Sequence, residues 1–314
     1  MVHFEDQSVD ISIIIVNWNT RELLLDCLTS VFQTIKNSTF EVWLVDNAST
    51  DGSVETAKSR FPGIKIIENQ ENLGFAAASN RALKRMRGRY ALLLNTDTIV
   101  TDGAVEEIYL FMDENPKIGL ACGQLLNQDG TKQNSIANFP SLLSLLCNET
   151  VLRIVLPKRF PSKRKEYQSP IEVDSCIGAC MMARKEAMDE IGFFDEDYFF
   201  FFEETDLAYR MKQAGWKVFF VPSAGIFHAQ GKSVGMGLNA RIMFYRSRYI
   251  FFKKWRPHLY GLICTVIFMR LLINTFLSFL GVLLTLGLHG PLKTRFIIYN
   301  QLIIWHLRGC PENR

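Results

Sequence analysis

Between Leu207 and Pro311 the chain has no aspartate and no glutamate, against fourteen lysines and arginines. Met1 to Asp206 carries thirty-one acids and twenty bases, so a formal net charge of +3 conceals parts of −11 and +14. An acid-free stretch of that length excludes an ordinary mixed-charge surface and points to an anionic partner, either nucleic acid or an anionic lipid surface. Paired cysteines are lacking too. The seven cysteines, at 27, 122, 147, 176, 180, 264 and 310, form no CxxC set, which excludes a disulfide scaffold and fits reduced thiols in a cytoplasmic setting. Cys176 and Cys180 have no second Cys or His pair at zinc spacing and read as small buried residues. No apolar run follows a basic stretch before Ile11, so no secretory signal peptide is expected. No internal repeat is apparent. A hydrophobic share of 48% excludes a disordered or collagen-like chain, and 314 residues suit one large α/β domain with an appendage.

What is present begins with alternation. ISIIIV (11–16), EVWLVD (41–46), IKII (64–67), YALLLN (90–95) and IGLACGQL (118–125) are near-continuous aliphatic runs, as a sheet covered on both faces requires. Between them, 20–35, 52–60, 75–87 and 102–114 have amphipathic helical spacing, with start signals such as Thr20 and Asp102. This βαβα order predicts a mostly parallel, doubly wound sheet, which binds ligands at the carboxyl ends of its strands. From Leu126 to Pro170 the pattern weakens; basic residues at 158, 159, 163, 164 and 165 among prolines 157, 161 and 170 suggest a mobile or membrane-facing loop. A second compact part is expected from a strand at 175–183, a helix at 184–191, the aromatic run YFFFF (198–202), a helix at 203–214 and a strand at 217–221.

Polar clusters fall where strands run out: Asn17, Trp18 and Asn19; Asp46 and Asn47; Asn69 to Gly74; Asn95, Thr96 and Asp97. Any one of them could be turn chemistry alone. Four on one edge of one sheet describe a single crevice.

The stretches SIIIVNWNT, VDNASTDGS, ENLGFAAASNRAL, LLLNTDTIV, GACMMARKEAMDEIGFFDE, FFFFEETDLAYRMKQAGWKV and FHAQGKS follow in order over about residues 11 to 233. Together they resemble the family 2 inverting glycosyltransferases of GT-A fold, and among these the rhamnosyltransferase-like members. The resemblance implies that Trp18 lies against a nucleobase and that Asp46 accepts a hydrogen bond from a pyrimidine N–H, beside Asn17 and Asn47 on the donor side. An indole face can stack on a base, and a carboxylate can read an imide donor. Asn72, Gly74 and Asn80 would line the ribose and diphosphate, Gly74 by admitting close backbone approach. Asn95-Thr96-Asp97 occupies the place of the family's DxD motif. Asp97 would then hold Mg2+ or Mn2+ on the diphosphate, with Asn95 standing where the family has its first carboxylate. A hard divalent ion with oxygen ligands suits a diphosphate leaving group. His228 would be a third position near metal or diphosphate, with Gly231, Lys232 and Ser233 as flexible phosphate contacts.

Inverting transfer requires a carboxylate beneath the acceptor hydroxyl. FEETDL offers Glu203, Glu204 and Asp206 at a helix start. By resemblance the base is Glu204, where the family usually has Asp, although acids at a helix N-terminus also stabilise its dipole without catalysis. Gly178 and Ala179 would floor the donor sugar, and Asp195, Glu196 and Glu203 would lie on the acceptor side.

Arg241 to Arg256 has six basic residues interleaved with aromatics, a pattern that could stack on nucleic acid bases. The following stretch, Leu259 to Leu288, is almost wholly apolar apart from Arg270 and Asn274, long enough for a bilayer, and makes the basic segment a headgroup-level anchor instead. With Arg270 near its middle and Lys293 and Arg295 beyond it, a re-entrant hairpin or two in-plane helices with cytoplasmic ends is favoured over a single span.

The expectation is a GT-A domain at 1–235 and a helical membrane-docking tail at 236–314. The enzyme would lie at the cytoplasmic face, using a dTDP- or UDP-sugar, dTDP-rhamnose first, and a glycan or polyprenyl-diphosphate-linked acceptor, with no nucleic acid partner. A sugar-1-phosphate nucleotidyltransferase should carry a Gly- and Arg-rich loop where this chain has VNWNTREL. A non-catalytic membrane scaffold of the same fold remains open. The oligomeric state is not legible.

Overall fold

The computed structural model describes residues 9–157, 159–161, 166–229 and 237–310. The described residues form two compact units, one of 9–139 with 161–229, the other of 140–160 with 237–310.

The first unit begins with β1 (Ile11–Asn17), α1 (Arg21–Thr34), β2 (Phe40–Asp46), α2 (Ser53–Arg60), β3 (Lys65–Glu68), α3 (Gly74–Leu83) and β4 (Tyr90–Asn95). Short β5 (Thr98–Val100), α4 (Ala104–Glu114) and β6 (Ile118–Leu126) follow. Strands β3, β2, β1 and β4 are neighbours in that order, and all three pairings are parallel. Side-chain alternation splits the core in two. Ile11, Ile13, Ile15, Leu92 and Leu94 pack with Leu24, Leu28, Val105 and Ile108, whereas Ile14, Val45, Ala91 and Leu93 pack with Phe75, Ala78 and Leu83. Strands buried on both faces therefore need the unbroken aliphatic runs seen in the sequence.

Leu126 to Pro170, expected as a mobile or membrane-facing loop, contains β7 (Ile136–Ala137) and two short helices, α5 (Leu142–Leu146) and α6 (Glu149–Val155). Their start signals are side chains: the Ser141 hydroxyl caps α5, accepting from the Ser144 amide, and Asn148 Oδ1 accepts from the Thr150 amide at α6. Residues 158 and 162–165 lie outside the described set.

β8 (Ile171–Glu172), β9 (Ser175–Cys176), β10 (Cys180–Arg184), α7 (Lys185–Ile191), α8 (Glu203–Gln213) and β11 (Lys217–His228) complete this unit. They do not make a second compact part. β10 enters the same sheet between β4 and β6, antiparallel to both, and β6 pairs with β11 in parallel. β11 runs seven residues past the expected 217–221, because a register shift between Val221 and Gly225 lets it bend and go on to pair with β5. That extension carries His228 to the sheet's functional edge.

In the second unit, α9 (Leu238–Trp255) precedes α10 (Tyr260–Leu284) and α11 (Gly290–Leu307). Pro257–Leu284 is the one helix among the described residues long and apolar enough to cross a membrane. Arg270 on α10 donates its guanidinium protons to the carbonyls of Ser144 and Leu145 at the end of α5. This charge inside an apolar helix is thus met by the helix carbonyls that α5 leaves free.

Candidate active site

Parallel register brings the first strand tips level: Asn17 lies opposite Asp46, and Val16 opposite Asn95. Asn17 Nδ2 donates to Asp46 Oδ1 at 2.8 Å and to Ser49 Oγ at 3.0 Å, and the Ser49 amide donates to Asp46 Oδ2 at 2.8 Å. Asp46 is buried, with its carboxylate held by Asn17 at the end of β1 and by Ser49 of its own loop. The Thr20 hydroxyl contacts both Asn17 Oδ1 (2.8 Å) and Thr96 Oγ1 (2.9 Å), which joins the Asp46 group to the Asn95–Asp97 turn. Trp18 projects from the same edge and is 50% exposed, a large aromatic surface beside a polar cluster.

Two expected donor-side residues work differently. Asn47 spends its amide on Asn72 Oδ1 and the Gly74 carbonyl (both 3.1 Å), while its oxygen accepts from Asn69 at 2.7 Å; it ties its own loop to the one between β3 and α3. Asn80 donates to the Phe194 carbonyl (2.9 Å) and Glu196 Oε1 (2.8 Å) and accepts from the Phe194 amide (3.0 Å). With both amide protons taken, Asn80 clamps the segment carrying Asp195 and Glu196 and has none to offer a ribose. Glu196 also pairs with Lys84 at 3.6 Å, and Asp195 Oδ1 accepts from the Asp197 amide at 3.0 Å. Asn72 Oδ1 accepts from the Gly74 amide at 2.9 Å.

Gly74 has φ +78°, and a Cβ there would sit 2.3 Å from the Phe199 carbonyl oxygen. The close approach that needs glycine is to the aromatic run 199–202, whose Phe199 carbonyl also accepts from the Phe75 amide at 2.8 Å. Gly74→Ala should therefore destabilise the fold by more than the roughly 1–2 kcal/mol of a left-handed L-residue. The check is a urea melt, and an unchanged midpoint would contradict the contact.

Asp97 is buried, and neither carboxylate oxygen has a hydrogen-bond partner. His228 Nε2 lies 3.5 Å from Asp97 Oδ1, and its Nδ1 lies 2.9 Å from Gln133 Oε1. The Ala229 amide donates to the Asp97 carbonyl at 2.8 Å, tying the end of β11 to the turn. A buried carboxylate without partners is costly unless a cation meets it. Carboxylate oxygen suits Mg2+ or Mn2+, and an imidazole nitrogen beside it favours the transition ion of the two, Mn2+. Among the described residues no three His, Cys, Asp or Glu side chains converge, so these two leave the remaining positions of such an ion to ligand oxygens. Gly231, Lys232 and Ser233 lie outside the described residues.

Across the floor, the Asn95 amide donates to the Ala179 carbonyl at 3.0 Å, and the Cα of Gly178 faces Glu204: a Cβ there would stand 3.7 Å from Glu204 Cβ and Cγ. One connected path thus runs from Asp46 through Thr20 and Thr96 to the Asp97 turn, and on through Ala179 and Gly178 to Glu204. Glu203 and Glu204 each keep a buried carboxylate oxygen without a hydrogen-bond partner. Burial pushes the Glu204 carboxyl up to about 7. It raises Glu203 well above the ordinary carboxylate range, with the neighbouring Glu204 charge adding to the effect. Asp206 is the structural acid of the three, fully buried and paired with Arg210 Nε at 2.8 Å. Arg210 in turn holds the carbonyls of Ile191, Gly192 and Phe193. Phe201 and Phe202, immediately before α8, both have φ +69°, a strained conformation for aromatics that aims the first turn of the helix.

The family model for glycosyl transferase family 2 matches residues 12–192, more than half of the chain. The chain belongs to that family. It is a glycosyltransferase of GT-A fold. It is similar to the N-acetylglucosaminyl-diphospho-decaprenol L-rhamnosyltransferase of Mycobacterium tuberculosis, at 29% identity over 67% of this chain and 73% of that one. A putative teichuronic acid biosynthesis glycosyltransferase of Bacillus subtilis, TuaG, is 30% identical over 43% of this chain and 54% of its own. Among solved structures, a mannosyltransferase from Pyrobaculum calidifontis in complex with GDP-Man and Mn2+ has a TM-score of 0.58 at 16% identity, over 97% of this chain and 88% of that one.

Gln133, Thr20 and Ser49 are the site residues that the sequence reading left out. Thr20 and Ser49 lie inside the motif stretches and were visible as polar side chains; Gln133 sits on a hairpin with no motif to mark it.

Proposed function

We propose that this enzyme transfers a sugar, rhamnose first among candidates, from a dTDP- or UDP-sugar to a hydroxyl of a glycan or polyprenyl-diphosphate-linked saccharide, with inversion. The observation that carries the reading is the buried Asp97 carboxylate, with no hydrogen-bond partner on either oxygen, and the half-buried Glu204, whose Oε2 also lacks one, joined by the Gly178–Ala179 floor. Trp18 offers its exposed face to the base, and Asp46 its remaining lone pairs to a pyrimidine N–H. Asp97 and His228 would hold Mg2+ or Mn2+, which when bound offsets charge on the leaving diphosphate. Glu204 takes the acceptor hydroxyl proton as that oxygen bonds to C1. The bond from C1 to the diphosphate oxygen breaks on the opposite face, and the nucleoside diphosphate departs. A carboxyl at about 7 is half ionised at neutral pH, matched to that task.

The test is a panel of dTDP-, UDP- and GDP-sugars with Mg2+, Mn2+ or chelator, the product anomer being assigned by NMR. Inverted product from a dTDP- or UDP-sugar, dependent on metal, is expected; retention of configuration or metal-independent turnover contradicts the reading.

The second unit supports docking at the cytoplasmic face, on an anionic bilayer. Ile154, Val155 and Leu146 are largely exposed, as are Phe276 and Leu284 of α10 and Leu286 and Leu288 just after it. Arg270 ties the two sets together within this unit, so residues 140–160 belong to the same lipid-facing body. Flotation with phosphatidylglycerol-containing vesicles should show salt-sensitive binding, and Ile154→Glu with Val155→Glu should weaken it by at least about tenfold, given the cost of charge in lipid. Equal binding by the double variant would remove 140–160 from the membrane surface.

A further inference from the structure

Gln133 makes a two-point grip on His228. Its Nε2 donates to the His228 backbone carbonyl at 2.6 Å, and its Oε1 faces His228 Nδ1 at 2.9 Å. A backbone carbonyl can only accept, so the amide nitrogen must be the atom beside it. Nε2 also donates to Asn127 Oδ1 at 2.7 Å, and the Asn127 amide in turn donates to Thr131 Oγ1 at 2.8 Å. The orientation of the Gln133 amide is therefore determined, and Oε1, purely an acceptor, requires a proton on Nδ1. In the neutral ring Nε2 then carries a lone pair. That lone pair lies 3.5 Å from Asp97 Oδ1, an oxygen without a hydrogen-bond donor. Two electron-rich atoms so placed in a buried site repel unless a proton or a metal ion stands between them.

We infer that Gln133 is a positioning residue that locks His228 in its Nδ1–H tautomer, presenting Nε2 as the second protein ligand of the diphosphate-bound divalent ion. The inference rests on the metal-dependent reading above. The hairpin is built for the role. The Asn127–Thr131 turn closes on its own bonds, the Gln133 amide donates to the Leu125 carbonyl at 2.7 Å, and Gln124 Nε2 donates to the Gln133 carbonyl at 2.8 Å. The imidazole is thus oriented by the turn that follows β6, the strand next to its own in the sheet, and that is anchored back onto it, rather than by its own loop. Outer partners of this kind commonly set metal affinity by 10- to 100-fold.

The experiment is ring nitrogen NMR of 15N-histidine protein, together with Mn2+ binding in the presence of UDP followed by electron paramagnetic resonance. Wild type should show His228 as a single Nδ1–H tautomer when neutral. Gln133→Leu should show mixed tautomers and bind Mn2+·UDP about 10- to 100-fold more weakly, with circular dichroism confirming the fold. Should Gln133→Leu misfold, the wild-type tautomer alone decides, and an Nε2–H ring overturns the inference. If Gln133→Leu binds Mn2+ as tightly as wild type while His228→Ala loses it, Gln133 is not the positioning group and the metal reading stands. If His228→Ala also binds as tightly as wild type, His228 is not a ligand and the inference is overturned while the metal reading stands on Asp97; if wild type itself binds no Mn2+ with UDP, the metal reading falls.

Discussion

Glu204→Gln is expected to reduce turnover by about 10²- to 10⁴-fold, the usual worth of a positioned general base, while nucleotide binding persists. In the wild type the rate should drop roughly tenfold per pH unit below about 7, because the base must be ionised and burial holds its carboxyl there. The same burial predicts an opposite effect on stability. The folded carboxyl at about 7 lies above its ordinary value of 4.5, so across that window the folded state retains a proton that the unfolded chain releases. Stability therefore declines as pH climbs through the window, and the full cost is present above it. The glutamine variant escapes this cost. It should melt higher than wild type near pH 8, by at least the roughly 2 to 4 °C that 1 kcal/mol produces in a domain of this size, and match it near pH 4. A variant that keeps its rate shows that another group takes the proton.

Asp97→Asn is the second large effect. In wild type, Mn2+ with UDP should raise the melting point, since a ligand at one hundred times its Kd adds about 2.7 kcal/mol. The variant should lose that shift and most activity. In chelator it should be at least as stable as wild type, because the neutral amide that replaces the buried carboxylate carries no charge. A wild-type melting shift in the variant would separate Asp97 from the metal.

Both expectations pit function against stability at residues that local folding rules do not require. The same tension marks Phe201 and Phe202, whose left-handed backbone precedes the base. Strain of order 1–3 kcal/mol per residue persists only where the surrounding structure imposes it. Here Phe199 is held at the Gly74 turn on one side and Asp206 is locked by Arg210 on the other.

The motifs at the strand tips were legible because each is local: a strand runs out, a polar turn follows, and parallel register aligns Asn17, Asp46 and Asn95 without further information. For Asn47 and Asn80 the same logic reaches no further than the turn, and the structure shows their amides engaged with neighbouring segments. An amide at a turn looks identical in sequence whether it faces a ligand or cross-links neighbouring loops, and only its partners distinguish the two.

By itself the sequence determined the alternating layers, the crevice edge and the acid-free helical tail, since these follow from periodicity and charge along the chain. Tertiary structure alone decided the insertion of β10 between β4 and β6, the joining of 140–160 to the tail unit through Arg270, and the grip of Gln133 on a histidine 95 residues away. Each depends on contacts between segments distant in sequence, where no local propensity reports which partner a side chain will meet.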